Sequence, residues 1–174
     1  MDTANELTIV ICDDSITNVL MLSQIVRDQC QADIIQMTDP RKIAPTLAKQ
    51  SIDLLILDIE MPHINGFDVM MSVRETYPQE VLPIIIITGV QGTETRNKAL
   101  TLGANDFVTK PFDQIEISLR VKNLLKAQQT HKTIQIANQQ LEQKVTQRTQ
   151  ELESAVISLM HSLAIAGELK DNET

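Results

Sequence analysis

An α/β domain on a mainly parallel sheet, continued by one long helix, is the architecture this sequence predicts, and three observations predict it. Short β-branched runs alternate with segments of helical spacing up to about Phe112, which implies βαβ crossovers and a sheet covered on both faces. Two runs, Leu54-Leu55-Ile56-Leu57 and Ile84-Ile85-Ile86-Ile87, are apolar at consecutive positions, as central strands buried on both faces require. Beyond Pro111 the texture changes to a stretch through Ala166 without Pro or Gly, dominated by Gln, Glu, Lys, Ala and Leu.

Strands are expected at 7–12, 33–37, 54–57, 84–88 and 106–109. The first helix is marked by Ile16, Val19, Leu20, Leu22, Ile25 and Val26. Ile43, Ala44 and Leu47 mark the second, and Asp39-Pro40 supplies its N-cap and first-turn proline. Phe67, Met70, Met71 and Val73 mark the third. A fourth helix over 93–102 stops at Gly103, the residue expected just past a helix end.

The long helix carries one heptad register. Its a positions are Leu124, His131, Asn138, Val145, Leu152 and Leu159, and its d positions are Ala127, Ile134, Leu141, Arg148 and Ala155. A sustained seam of this kind predicts a coiled coil and a homodimer; the competing reading is a solvated single helix. His131, Asn138 and Arg148 interrupt the seam, and a buried Asn at an a position favours two strands at a cost in stability. Some fifty-five residues at about 1.5 Å each would make a rod on the order of 80 Å. The expected division is a globular domain over 1–125, a helical dimerisation segment over 126–166 and a tail over 167–174.

Composition excludes more than it identifies. Hydrophobic residues make up 43% of the 174, aromatics only 2%, with no Trp, so aliphatic side chains must build the core. A net charge of −8 without a basic cluster argues against a nucleic-acid surface, because phosphate backbones are met by Lys/Arg patches. Cys12 and Cys30 show no metal spacing and are expected to be free buried thiols in a reducing compartment. With no signal-peptide pattern and no apolar run long enough for a bilayer, a cytoplasmic protein without membrane contact is expected. His63, His131 and His161 are isolated from one another.

The chemistry lies where strands should end. Asp13 and Asp14 follow the first strand and Asp58 the third. In open parallel sheets ligands bind outside the carboxyl ends of strands near the topological switch point. Crowded carboxylates repel unless a cation joins them, and the economical candidate is a hard divalent ion with oxygen ligands, Mg²⁺. Thr88 and Lys110 close the fourth and fifth strands. A hydroxyl, an ammonium and a metal around one carboxylate make a site for a phosphoryl group, with Asp58 as nucleophile. Each residue has a plainer reading: Asp13-Asp14 as a helix cap, Asp58 as a turn residue, Thr88 as an ordinary strand residue, and Lys110 as a snorkelling side chain. The ordered set, each member at the end of its own strand, is what those readings leave unexplained.

Residues from about Thr8 to Leu125 resemble a receiver domain of the CheY-like response-regulator family. The motifs are Ile11-Cys12-Asp13-Asp14-Ser15, Leu57-Asp58-Ile59-Glu60-Met61-Pro62, Asn65-Gly66-Phe67-Asp68, Ile87-Thr88-Gly89 and the run from Gly103 through Lys110-Pro111 to Phe112. The resemblance implies a flavodoxin-like (βα)5 doubly wound sheet in the order 2-1-3-4-5. It implies Asp58 as phosphoacceptor and Asp13, Asp14, Asp58 and the backbone carbonyl of Glu60 as Mg²⁺ ligands. Thr88 and Lys110 match the pair that senses the phosphoryl group, Phe107 matches the switch aromatic, and Lys110-Pro111 matches a bond that is often cis. A sensor histidine kinase is the implied phosphodonor, and a rearranged surface of the fourth helix, fifth strand and fifth helix the implied response.

From Leu141-Glu142-Gln143-Lys144-Val145 through Arg148-Thr149 to the tail, the helix resembles the linker that precedes HD-GYP cyclic di-GMP phosphodiesterase domains in some response regulators. Three functions are therefore carried forward: a phosphorylation-dependent module that dimerises through its helix and is not itself an enzyme, the regulatory part of a cyclic di-GMP phosphodiesterase, and a constitutive dimerising scaffold.

Overall fold

A computed structural model describes residues 7–62, 64–90 and 92–171, with the backbone alone for 162–171; His63 and the last three tail residues lie outside the described residues. The elements run β1 (Leu7–Cys12), α1 (Ile16–Arg27), β2 (Ala32–Met37), a 3-10 turn (Pro40–Lys42), α2 (Ile43–Leu47), β3 (Leu54–Asp58), α3 (Gly66–Thr76), β4 (Ile84–Thr88), α4 (Thr93–Thr101), β5 (Asp106–Thr109) and α5 (Gln114–Asp171). All strand pairs are parallel, in the order β2-β1-β3-β4-β5. That is the doubly wound order expected, and it places the switch point between β1 and β3.

The consecutive apolar runs end up where their composition requires. Every residue of β3 and β4 is buried. Because side chains alternate faces along a strand, each run feeds two cores. Leu55, Leu57, Ile84 and Ile86 join Ile43, Phe67, Met70, Val73 and Ala99 from α2, α3 and α4 on one face. Leu54, Ile56, Ile85 and Ile87 join Val19, Leu22 and Val26 of α1 and Ile117, Val121 and Leu125 of α5 on the other. Cys12 is buried and Cys30 only half-buried, both as free thiols. Burial pushes the Cys12 thiol up to about 12, helped by the neighbouring carboxylates.

Helix boundaries follow local chemistry. Asp39 caps the 3-10 turn by accepting from the Arg41 N–H, with Pro40 in the first turn. Asn65 Oδ1 accepts from Phe67 N at 2.9 Å and starts α3. Gly103 follows α4 at φ +104, a conformation that side-chain-bearing residues rarely adopt. Arg74 binds the edges of this half of the domain together. Its guanidinium, bonding to the Gly103, Tyr77 and Leu82 carbonyls and to Asn105 Oδ1, is lowered to about 10 by burial and so stays charged at neutral pH.

The chain forms two compact units, Met1–His131 and Lys132–Thr174. In the first, α5 stays packed past Leu125: Gln128 is buried and its amide donates to the Val81 carbonyl. In the second, the helix continues through Gly167 to Asp171. Among the described residues no helix is long and apolar enough to cross a membrane.

Candidate functional site

The first and third strands set the carboxylates side by side. Cys12 is registered against Leu57, so Asp13, one residue beyond β1, and Asp58, the last residue of β3, emerge at the same edge. One carboxylate oxygen from each of Asp13, Asp14 and Asp58 lies within 4.8 Å of the others. Asp13 and Asp58 are almost fully buried, 1% and 2% exposed, while Asp14 is exposed. The Lys110 ammonium reaches over from the end of β5, 2.7 Å from Asp13 Oδ2 and 3.1 Å from Asp58 Oδ2. The Lys110–Pro111 peptide bond is cis.

The electrostatics are unbalanced. Three carboxylates against one ammonium leave two negative charges uncompensated when all are ionised. Burial pushes the Asp58 carboxyl up to about 6, against the hydrogen bond and charge of Lys110, which favour the ionised form. The Ile59 N–H, which also favours the charge, is directed to the Ile87 carbonyl at 3.2 Å. Burial pulls Lys110 down, but its bonds to Asp13 and Asp58 outweigh that and hold it above its ordinary value. Asp58 Oδ1 is a buried side-chain oxygen without a hydrogen-bond partner. An unpaired carboxylate oxygen in that setting costs free energy, and a hard cation is the partner that its chemistry and the charge excess both suit.

The other expected site residues stand around this cluster. Thr88 is fully buried at the end of β4, and its Oγ1 accepts from Val90 N at 3.0 Å, which leaves its O–H free to turn. Phe107 is buried against the core and lines a groove of about 370 Å³ with Gly92, Thr93, Arg96, Thr109, Glu116 and Arg120. Glu60 does more than sequence reasoning asked of its carbonyl: its Oε2 accepts from Gly89 N at 2.9 Å, tying the β3–α3 loop to the end of β4.

One further residue escaped the sequence reading, and a second, Gly66, entered it only within the Asn65-Gly66-Phe67-Asp68 motif, without a role. Asn18 donates its side-chain amide to both oxygens of Asp13 at 3.0 Å; its spacing from Asp13 on the first turn of a helix was the only available signal. Gly66 lets the β3–α3 loop fold back on Asp58, since a Cβ there would fall 2.1 Å from the Asp58 carbonyl oxygen.

The seam residues divide between the two units. Leu124 is half-buried against the domain core, and Leu124, Ala127 and His131 line a groove of about 230 Å³ with Gln79, Glu80, Pro83, Asn105 and Gln128. Ile134, Asn138, Leu141, Val145, Arg148, Leu152, Ala155 and Leu159 are exposed, and Arg148 pairs with Glu151 at 3.2 Å. Ile136, Val156, Ile157 and Met160 are exposed apolar residues outside the a and d positions.

A parallel sheet in this order, with an acidic cluster and a lysine at its carboxyl edge, defines a receiver of the response-regulator class. The chain belongs to the response regulator receiver domain family, which it matches over residues 9–122. It is 31% identical to a probable cyclic di-GMP phosphodiesterase of Vibrio cholerae, over 100% of this chain and 39% of that protein. It is 30% identical to the cyclic di-GMP phosphodiesterase response regulator RpfG of Xanthomonas campestris, over 97% of this chain and 45% of that protein. The chain therefore spans less than half the length of either relative. Among solved structures, a putative two-component system response regulator/GGDEF domain protein superposes with a TM-score of 0.67 at 29% identity, covering 71% of this chain and 51% of that one.

Proposed function

We propose that Asp58 accepts a phosphoryl group, donated by the phosphohistidine of a sensor kinase, and that the change of state is passed along α5 in a homodimer. The buried Asp58 Oδ1 without a partner, set between two carboxylates and Lys110, is the observation that carries this reading. The Asp58 oxygen forms the new bond to phosphorus while the bond from phosphorus to the donor's imidazole nitrogen breaks, and the electron pair leaves with the ring. Asp13, Asp14, Asp58 and the Glu60 backbone carbonyl would hold Mg²⁺. When bound, that ion offsets charge on the phosphoryl oxygens. Lys110 keeps its ammonium beside the reacting carboxylate, and the free Thr88 O–H can turn to a phosphoryl oxygen. Burial of Asp13 and Asp58 excludes water from the nucleophile's flanks.

The kinase has a surface to meet. Ile16, Leu20 and Met21 are exposed on the first turns of α1, directly after the acidic pair, and exposed apolar side chains so grouped suit a partner helix. For the output, the exposed seam from Ile134 to Leu159 supports pairing with a second copy, because seven-residue repetition leaves an apolar stripe that water disfavours.

A second reading refines the first: the output is a cyclic di-GMP phosphodiesterase. It is favoured because the matches to both phosphodiesterases run through the long helix as well as the receiver.

Intact-protein mass after incubation with a small acyl phosphate and Mg²⁺, with Asp58→Asn alongside, tests the central step. A phosphoryl adduct on the parent and none on the variant is expected. A folded, Mg²⁺-binding parent that takes no phosphoryl group from the acyl phosphate or from a kinase would return the protein to the scaffold reading.

A further inference from the structure

Asn18 sits in the first turn of α1, three residues after the N-cap Ser15. Its amide nitrogen donates to Asp13 Oδ1 and Oδ2, 3.0 Å from each. The Ser15 N–H donates to Asp13 Oδ1 at 2.8 Å, and Lys110 donates to Oδ2 at 2.7 Å. Three donors on two oxygens leave the Asp13 carboxylate no freedom to rotate.

We propose that Asn18 is a positioning residue that holds the Asp13 carboxylate in place for a divalent cation. The inference rests on the reading that the Asp13, Asp14 and Asp58 cluster takes Mg²⁺. Of the three donors to Asp13, Lys110 also serves Asp58 and carries the charge that competes with a cation for the same oxygens. The Ser15 N–H belongs to the backbone and approaches one oxygen only. Asn18 alone is a neutral side chain that orients both oxygens while leaving the full negative charge for a metal. That is the part played by outer-shell hydrogen-bond donors around metal-ligating carboxylates.

Local geometry sharpens the point. Ser15 makes no side-chain cap hydrogen bond, so the start of α1 is organised around Asp13 rather than around its own N-cap. A purely structural account would make the Asn18–Asp13 bond a substitute cap for α1. The two accounts part on metal affinity. A substitute cap, once lost, lowers the melting temperature in chelator and leaves the affinity for Mg²⁺ of the folded protein unchanged. A positioning residue, once lost, leaves a buried carboxylate held only by Ser15 and Lys110, free to depart from the orientation a cation needs, and weakens metal binding itself.

The test is isothermal titration of the metal-free full chain with Mg²⁺, on the parent, Asn18→Ala, Asn18→Leu and the exposed neighbour Thr17→Ala as control. Circular dichroism of each variant establishes that it is folded. Loss of an outer-shell partner typically weakens metal binding by about 10- to 100-fold, so Kd is expected to rise about tenfold in both Asn18 variants and to stay at the parent value in Thr17→Ala. A Kd within twofold of the parent in a folded Asn18 variant overturns the inference and leaves the pocket's Mg²⁺ reading standing. A parent that binds no Mg²⁺ overturns that reading, and this inference with it.

Discussion

Removing the Asp58 charge should stabilise the metal-free protein, and by an amount that depends on pH. The folded-state carboxyl titrates at about 6 against an ordinary 3.8. A tenfold change in proton affinity is worth about 1.4 kcal/mol, so ionising Asp58 in the folded state costs about 3 kcal/mol relative to the unfolded chain. The folded state binds the extra proton between these two values, so stability falls as pH rises from about 4 to about 6 and the loss is complete above that. Asn has nearly the same shape and lacks the charge. In urea titrations with chelator present, Asp58→Asn should exceed the parent by about 2–3 kcal/mol at pH 7.5. The difference should shrink to about 1 kcal/mol by pH 4.5 and to a few tenths of a kcal/mol by about pH 3.8, as the carboxyl becomes neutral in the unfolded chain as well. Millimolar Mg²⁺ should narrow the gap at pH 7.5 by stabilising the parent preferentially. A gap that is flat with pH, or a variant less stable than the parent at pH 7.5, would refute the claim that burial of this charge outweighs the attraction of Lys110.

Other substitutions probe the frame around the site. Arg74→Met would leave the Gly103, Tyr77 and Leu82 carbonyls without their shared donor and should cost about 3–5 kcal/mol, read as a large drop in urea midpoint; a loss under 1 kcal/mol would show that water replaces the guanidinium easily. Gly66→Ala pushes a methyl group to 2.1 Å from the Asp58 carbonyl oxygen and should cost about 3 kcal/mol or more, with weakened Mg²⁺ binding because the strand end that carries Asp58 must shift. Leu141→Lys puts a charge into the exposed seam and should turn a dimer into a monomer by light scattering; an unchanged mass would remove the seam from the account. Leu20→Glu should slow phosphoryl transfer from a cognate kinase while leaving uptake from a small acyl phosphate unaltered, since the side chain is exposed on α1 whereas Asp13 and Asp58 are buried; equal slowing of both would place Leu20 in the folding of the pocket instead.

Much of the fold was written in the chain because two signals coincide in it. Consecutive aliphatic residues at 54–57 and 84–87 demand burial on both faces, and the intervening 3.6-residue spacing demands covering helices, so only a parallel sheet satisfies both. Asp13, Asp58, Thr88 and Lys110 were legible for a related reason: a polar residue that ends an apolar strand is conspicuous. Asn18 was not, nor was the bond of the Glu60 side chain to Gly89, because a polar residue on a helix turn or in a loop is the ordinary case and its partner is set only by tertiary geometry. Arg74 was hidden in the same way, since nothing in its neighbourhood announces that its acceptors come from two separate loops, α3–β4 and α4–β5. The heptad count on α5 has the converse weakness. Periodicity fixes a stripe on the helix without saying what covers it, and at Leu124 part of that stripe faces the domain's own core.

The bonds around the acidic pocket share one feature that bears on how a charge there is felt elsewhere. Each group is tied to the start or end of a different element. Asp13 holds the first turn of α1 through Ser15 and Asn18. Lys110 closes β5 just before α5 and bridges Asp13 and Asp58. Glu60 and Thr88 hold the connection from β4 toward α4 through Gly89 and Val90. These attachments are unequal in strength. Four residues of α3 are buried and five of α1, against Ala99 alone in α4. Apart from that contact, α4 is held to α3 by Lys98 over the Phe67 ring at 4.6 Å, worth about 0.5–1 kcal/mol at an exposed site. A perturbation of the two uncompensated charges therefore meets firm resistance at α1 and little at α4. On that ground we propose that a change of charge at Asp58 is felt first through Thr88 and the β4–α4 connection.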